Sequence, residues 1–285
     1  MSFGDLNRIN TNLQSLDAQF SLNKINKNLS ETQLRLSTGK QINKAEDDSA
    51  GFSIAAKLSS RIAGLDQALA NTGDAKSVLD IAEAGFGSIL DILNTIKTKV
   101  TQAANDTLGT DERGFISEQI TALRQEIDAL VSQAEFQGQN LLDGSFDAQF
   151  QVGERDADTI NVTIEQTSGG GVGFEAADLG IDTGDIDVLS ATAANGSISA
   201  VDSAITTVAD AVNTLGIDQT KLSIRQETVT QAINSNSAAR SRIEDADFAQ
   251  EQSNAVKLQI LQQTAISALS QANSAPQAVL GFIGN

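Results

Sequence analysis

The chain has 285 residues, 37 acidic and 19 basic, for a formal charge of −18; it contains no Cys, His, Trp or Tyr, one Pro and one Met. Without Cys or His there is no thiolate, imidazole base, structural zinc, Ser-His-Asp triad or disulfide framework. The acidic excess argues against nucleic acid as a partner, and it leaves only carboxylate chemistry or a hard oxygen-ligated cation for an enzyme.

Aromatics make up 4% of the residues, all 11 of them Phe, so a core has to come from Leu, Ile, Val and Ala. That composition, with Pro nearly absent, suits long helices better than a β-sandwich. Residues 1–20 carry Asp5, Arg8 and Asp17 and lack the apolar run of a signal peptide. No window reaches 18 consecutive apolar residues, so membrane insertion is not expected.

The first predicted helix is heptad-patterned. Leu6, Ile9, Leu13, Leu16 and Phe20 follow one another at spacings of 3, 4, 3 and 4. After a two-residue phase shift the stripe resumes at Leu22, Ile25, Leu29 and Leu36. Such a narrow apolar seam requires a partner helix. Thr38-Gly39 is a plausible stop, because Gly takes the left-handed position after a helix end. Residues 40–50 are a polar break, with Asp47, Asp48 or Ser49 as candidate caps for the next helix.

That helix carries the strongest pattern in the chain, with Leu79, Ala82, Phe86, Ile89, Leu93, Ile96, Val100 and Ala103 alternating at 3 and 4. A turn over 105–110 precedes Ile116, Ile120, Leu123, Ile127, Leu130 and Ala134, and the two helices are expected to pair as an antiparallel hairpin. Period-2 alternation of Phe146, Phe150 and Val152, then Ile160, Val162 and Ile164, predicts a β-hairpin around 153–158. Residues 168–200 are rich in Gly, Asp, Ser and Ala and read as a loose surface excursion.

Heptads return with two sets, Ile198, Ile205, Val212, Gln219, Gln226 and Ile233, and Val201, Val208, Leu215, Leu222, Val229, Asn236 and Ile243. The polar members of these sets could fix register. A last helix is marked by Leu258, Leu261, Ala265, Leu269 and Ala272; it is expected to stop or bend at Ala275, since the residue before Pro276 avoids the α region. The fold class is therefore mainly α: a long antiparallel helical bundle or coiled coil with a small β-hairpin region and paired terminal helices.

Charge is unevenly placed. Residues 141–200 hold eleven acidic side chains against Arg155 alone, whereas residues 258–285 hold no charged side chain. An uncharged, Gln- and Ser-rich helix points to contact with protein or to a neutral polar wall.

Several stretches resemble bacterial flagellin. At the N-terminal side these are residues 34–43 (LRLSTGKQIN), 45–55 (AEDDSAGFSIA) and 64–68 (GLDQA), which contain the motif residues Leu36, Ser37, Gly39, Asn43, Asp47, Asp48 and Gly51. At the C-terminal side they are residues 241–249 (SRIEDADFA), 259–265 (QILQQTA), 271–273 and 275–277, which contain Gln262, Gln263, Gln271, Asn273 and Pro276. Residues 133–142 and 150–153 look like the family's helix-to-hairpin passage.

The resemblance implies a structural, non-enzymatic subunit without cofactors that self-assembles into the helical filament of the bacterial flagellum for swimming motility. A hook–filament junction protein sharing the terminal helices is the alternative. A free coiled-coil adhesin or an enzyme with paired carboxylates stands well behind both. It further implies an inner polymerisation domain of residues 1–42 with 244–285, ordered on assembly, whose stripes Leu6 to Leu36 and Leu258 to Ala272 pack within and between subunits. Residues 43–167 with 200–243 would be a helical bundle with a β-hairpin, and 168–199 a short exposed variable segment. Besides the chain itself, the implied partners are the flagellar export apparatus and an export chaperone, the filament cap and the hook–filament junction proteins. The implied location is the extracellular filament, reached without a cleaved signal peptide.

Residues 93–104 align with the stretch that a vertebrate Toll-like receptor reads in this family. Thr95 and Lys99 stand where recognised members carry Arg and Leu, while Lys97 and Gln102 keep the general character, so weak activation is expected. A zinc-peptidase insert, known in some members, is impossible without His. Asp182, Asp185 and Asp187 fail the calcium-loop frame and read as a solvated acidic surface. Asn161 and Asn195 begin low-specificity glycosylation sequons.

Overall fold

The computed structural model describes residues 11–166, 171–182 and 184–283, with residues 275–283 as backbone only. The elements in chain order are α1 (Leu13–Thr38), α2 (Ser49–Ala103), α3 (Thr110–Gln133), β1 (Glu135–Phe136), β2 (Gln139–Asn140), β3 (Phe146–Gln151), β4 (Thr159–Ile164), α4 (Ala191–Glu244) and α5 (Phe248–Ile283). Two compact units divide them: residues 61–234, and residues 1–60 together with 235–285.

The α2 heptad is the core of the first unit: all eight of its apolar side chains, from Leu79 to Ala103, are fully buried. Gly109, extended at φ −77°, precedes α3, and Asp111 and Glu112 place negative charge in its first turn, where the helix dipole favours it. Arg113 is buried and closes the α2–α3 turn: its Nε donates to the Ala103 carbonyl (2.9 Å) and its Nη2 to that of Asn105 (3.0 Å). The Ala103 carbonyl is one left free at the end of α2, and the Asn105 carbonyl, in the turn, also accepts the Leu108 N–H. From α3, Ile116, Ile120, Ile127 and Val131 join the same core.

From α4 the core takes one heptad set, Val201, Val208, Leu215, Leu222 and Val229, while Ile198, Ile205 and Val212 pack around it half-buried. Gln219 belongs to the same set as Ile198, Ile205 and Val212 and works as a polar seam residue. Its Nε2 donates to Glu83 (2.7 Å) and to Asp80 (3.2 Å), which lie one turn apart on α2.

The expected hairpin is β3 with β4, paired antiparallel with Phe146 opposite Ile164 and Phe150 opposite Ile160. Its buried face comprises Phe146, Val162 and Ile164. A smaller hairpin, β1 with β2, goes beyond the sequence reading. Gln137 (φ 51°) and Gly138 (φ 81°) both take the left-handed region, as a tight two-residue turn requires.

The segment after β4 corrects the expectation of a loose surface excursion over 168–200. Phe174, Ala176, Leu179, Ile181, Ile186 and Val188 are buried in the main core. Two side chains one turn apart on α3 fasten it: Arg124 Nη1 donates to the Ile181 carbonyl (3.1 Å), and Asp128 Oδ1 accepts the Ala176 N–H (2.8 Å). The acidic residues here also serve locally. Asp178 accepts from Gly173 N–H and Asp187 from Leu189 N–H, as short carboxylates do in turns. α4 then begins at Ala191, capped by Ser190 Oγ, which accepts the Ala193 N–H.

Candidate assembly interface

α1 starts at the Asn12 cap, whose Oδ1 accepts the Ser15 N–H (3.1 Å), and it ends at Gly39, left-handed at φ 71°, whose N–H donates to Arg35. The expected Thr38-Gly39 stop is thus the observed one. α1 lies antiparallel to α5. At one end Asn12 Nδ2 donates to the Ala272 carbonyl (2.8 Å) and Ser15 Oγ to Asn273 Oδ1 (2.7 Å). Midway, Gln262 Nε2 donates to Asn26 Oδ1 (2.8 Å). At the other end Gln41 N–H donates to Glu244, Ala246 N–H donates to Gly39, and Lys40 Nζ meets Glu244 Oε1 at 2.6 Å.

The apolar residues named from the sequence divide into two groups. Leu29 is buried, and Ile25, Leu36, Leu258, Ala265, Leu269 and Ala272 are half-buried. Leu13, Leu16 and Leu261 are exposed, as is Phe20 at 72%; Ile260, which the sequence pattern did not single out, is exposed at 60%. Leu6 and Ile9 lie outside the described residues. α5 runs through residue 276 to Ile283, which corrects the expectation of a stop at Ala275. A proline ring is compatible with helical φ and removes one N–H donor; the carbonyl that this frees, at Ala272, is taken by Asn12.

The family-motif residues build the turn between α1 and α2. Asp47 Oδ2 accepts the N–H groups of Asn43 and Lys44, both at 2.9 Å, and these bonds hold the Asp47 carboxyl below its ordinary value of 3.8. Asn43 Nδ2 donates to the Lys40 carbonyl, and Asp48 Oδ1 caps α2 by accepting from Ala50. Gly51 is buried in close contact: a Cβ there would stand 2.6 Å from both Asp48 Oδ2 and Ile42 Cδ1. Ser37, Gln263 and Gln271 are exposed. Nothing is described for the Pro276 ring.

One charged pair in this unit escaped the sequence reading. Glu251, in the first turn of α5, is buried, with Oε1 3.6 Å from Arg35. Its position next to the family motif, facing a basic residue of α1, is the signal that could have revealed it.

In the other unit, Leu93, Ile96, Val100 and Ala103 of the receptor-aligned stretch are core residues. Thr95 and Gln102 are exposed. Lys97 pairs with Asp202 on α4 at 2.7 Å, and Lys99 borders a shallow hollow with Gln119, Leu123 and Glu126. Among the described residues no helix is long and apolar enough to cross a membrane.

A helical protein whose first and last described helices pair and keep a bare apolar side has the surface of a self-assembling structural subunit. Residues 9–147 match the bacterial flagellin N-terminal helical region, and residues 198–283 match the bacterial flagellin C-terminal helical region. The chain belongs to the bacterial flagellin family, whose members are structural proteins.

It is 33% identical to a flagellar filament 33 kDa core protein of Treponema phagedenis, over 96% of this chain and 99% of that one. It is also 33% identical to a flagellin of Bacillus subtilis, over 97% and 99%. A Vibrio parahaemolyticus structure assigned as a flagellar hook-associated protein shares the fold, with a TM-score of 0.58 at 15% identity over 70% of this chain and all of that one. One sequence relative is named as a filament core protein and the other as a flagellin, which favours the filament subunit over the junction protein.

Proposed function

We infer that the chain is a structural subunit of the flagellar filament and that its α1–α5 pair is the element through which it polymerises. The observation that carries this reading is the use of each terminal helix on two sides. α1, which pairs with α5, covers Ile25 in part and buries Leu29, while Leu16 and Phe20 are left bare; α5 likewise keeps Ile260 and Ile266 bare. An exposed apolar surface of this kind marks an interaction site. Burial against a second copy gains about 25 cal/mol per Å², offset by the entropy of ordering two chain ends.

In this reading residues 1–42 with 244–285 form the inner layer of the filament and residues 43–167 with 200–243 the next shell, to which the core-packed segment after β4 belongs. The uncharged stretch 258–285 lines a central channel and offers no electrostatic trap to subunits passing through it. The export apparatus, an export chaperone, the cap and the junction proteins are then its encounter partners, and its location is extracellular. No catalytic role accompanies it. Thr95 and Lys99 in the receptor-aligned stretch support weak activation of a host Toll-like receptor.

Deleting residues 258–285 tests the reading. Purified full-length chain grows long homopolymers in electron micrographs, whereas the truncated chain grows none and keeps the cooperative helical melting of residues 61–234. Filaments from the truncated chain would refute it.

A further inference from the structure

We propose that Asn12 is the register key of the terminal helix pair, supplying to the Ala272 carbonyl the hydrogen bond that Pro276 withholds. In an α-helix the carbonyl of residue 272 accepts from the N–H of residue 276. Residue 276 is the chain's one proline and has no N–H, yet α5 continues to Ile283. A carbonyl inside α5 is therefore left without its helical donor, and an unpaired backbone group against a packed neighbour is costly. The side-chain amide of Asn12 donates to that atom, Nδ2 to oxygen at 2.8 Å.

The other end of the same amide fixes its direction. Asn12 Oδ1 is committed to the α1 cap, accepting the Ser15 N–H at 3.1 Å. Flipping the amide would set donor against donor at the cap and oxygen against oxygen at Ala272. Because the proline frees a carbonyl at one interior position of α5, the key fits one register. Slipped by a turn, Nδ2 would face carbonyls already bonded within the helix. Ser15 Oγ donating to Asn273 Oδ1 holds the same alignment one turn further along α1. Asn12 is thus a positioning residue: it sets which apolar side chains of α1 and α5 are left facing outward together. The lock is a property of the terminal pair whatever that pair assembles into, so its failure and the failure of the assembly reading are separable.

The chain has no Cys, so a Ser15→Cys/Asn273→Cys pair in the full-length protein reports register through the yield of its disulfide, in solution and after polymerisation. Four versions are compared in that background: the parent, Asn12→Asp, Pro276→Ala, and both together. Asp retains the cap acceptor, loses the donor and turns an oxygen toward the Ala272 oxygen. Ala at 276 restores the helix's own donor.

Asn12→Asp is expected to lower the yield about 2- to 10-fold, the worth of one hydrogen bond. With Pro276→Ala added, the loss disappears. Equal loss in both backgrounds would show that the loss is independent of the proline and overturn the proposed link, unchanged yield for Asn12→Asp would remove its role, and no cross-link in the parent pair would overturn the register itself. Polymerisation of the unsubstituted chain, followed in parallel, tests the assembly reading by itself.

Discussion

Phe174 meets Phe86 edge-on, with ring centroids 4.7 Å apart and the planes at 82°. Phe86 is the middle of the α2 heptad, so a side chain from the acidic segment after β4 seats in the centre of the main core, and both rings are fully buried. Phe174→Ala is expected to destabilise the 61–234 unit by about 3–5 kcal/mol, the usual cost of deleting a buried Phe. Denaturant unfolding followed by circular dichroism measures it. A loss below about 1 kcal/mol would mean the segment contributes little packing.

How much of this was readable in the sequence depended on whether the signal was periodic. The α2 heptad and the β3–β4 alternation put every second or every third-to-fourth side chain on one face, and both were legible. The α1 stripe was legible but ambiguous. The two-residue shift between Phe20 and Leu22 turns a helix by about 200°, so the stripe changes sides at that point. Phe20 is bare, whereas Leu22 and Ile25 are half-buried. Spacing alone does not distinguish a bare side from a paired one.

The 171–188 segment gave no period, because it contributes isolated apolar residues held by distant partners, Arg124 and Asp128 on α3. Pro276 was misleading for a similar reason. The local rule predicts a stop, and the compensating donor lies 260 residues away in sequence.

The turn built by Asp47 has a pH dependence of definite sign. The N–H groups of Asn43 and then Lys44 stabilise the carboxylate and lower its pKa from 3.8. A group whose native pKa is depressed contributes stability above its unfolded value and loses it as pH falls through the native one. Hydrogen-exchange protection of the Asn43 and Lys44 amides is therefore expected to be steady down to about pH 4 and to fall below it. Asp47→Asn should flatten that profile. Protection that persists unchanged through strong acid in the native chain would refute the assignment.

Gln219 sits between two carboxylates, Asp80 and Glu83, as a neutral donor. Gln219→Glu would replace that donor with a third negative charge. The expected cost is about 0.5–1 kcal/mol at low ionic strength, since the site is partly solvated. Added salt should recover much of it, because the Debye length shrinks from roughly 30 Å at 0.01 M to about 10 Å at 0.1 M. Melting curves of both proteins at two salt concentrations decide the matter, and a salt-independent difference would point to lost packing instead.

Ile260 is bare on α5, and changing it separates pairing from assembly. Ile260→Asp is expected to abolish or strongly slow polymerisation, because a charge would have to be buried between copies. Disulfide yield between cysteines at 15 and 273 should not change, since Ile260 faces away from α1. Filament growth is read by sedimentation. Normal growth of the Asp variant would place the subunit contact elsewhere.

The charge distribution supplies the last expectation. Eleven acidic residues against one basic residue lie in 141–200, and of these Asp147, Asp156, Glu175, Asp182 and Asp185 are exposed. When copies assemble, these like-signed surfaces are brought near one another, and repulsion between exposed charges is screened beyond a Debye length. Hydrophobic burial along α1 and α5 is instead favoured by salts excluded from the protein surface. Both effects act in one direction, so turbidity or pelletable mass at fixed protein concentration should rise with added salt. Sodium chloride at moderate strength tests the screening part, and sulfate at equal ionic strength adds the exclusion part. If neither salt changes the yield, the acidic segment does not oppose assembly. A response to sulfate alone would assign the salt effect to the apolar interface.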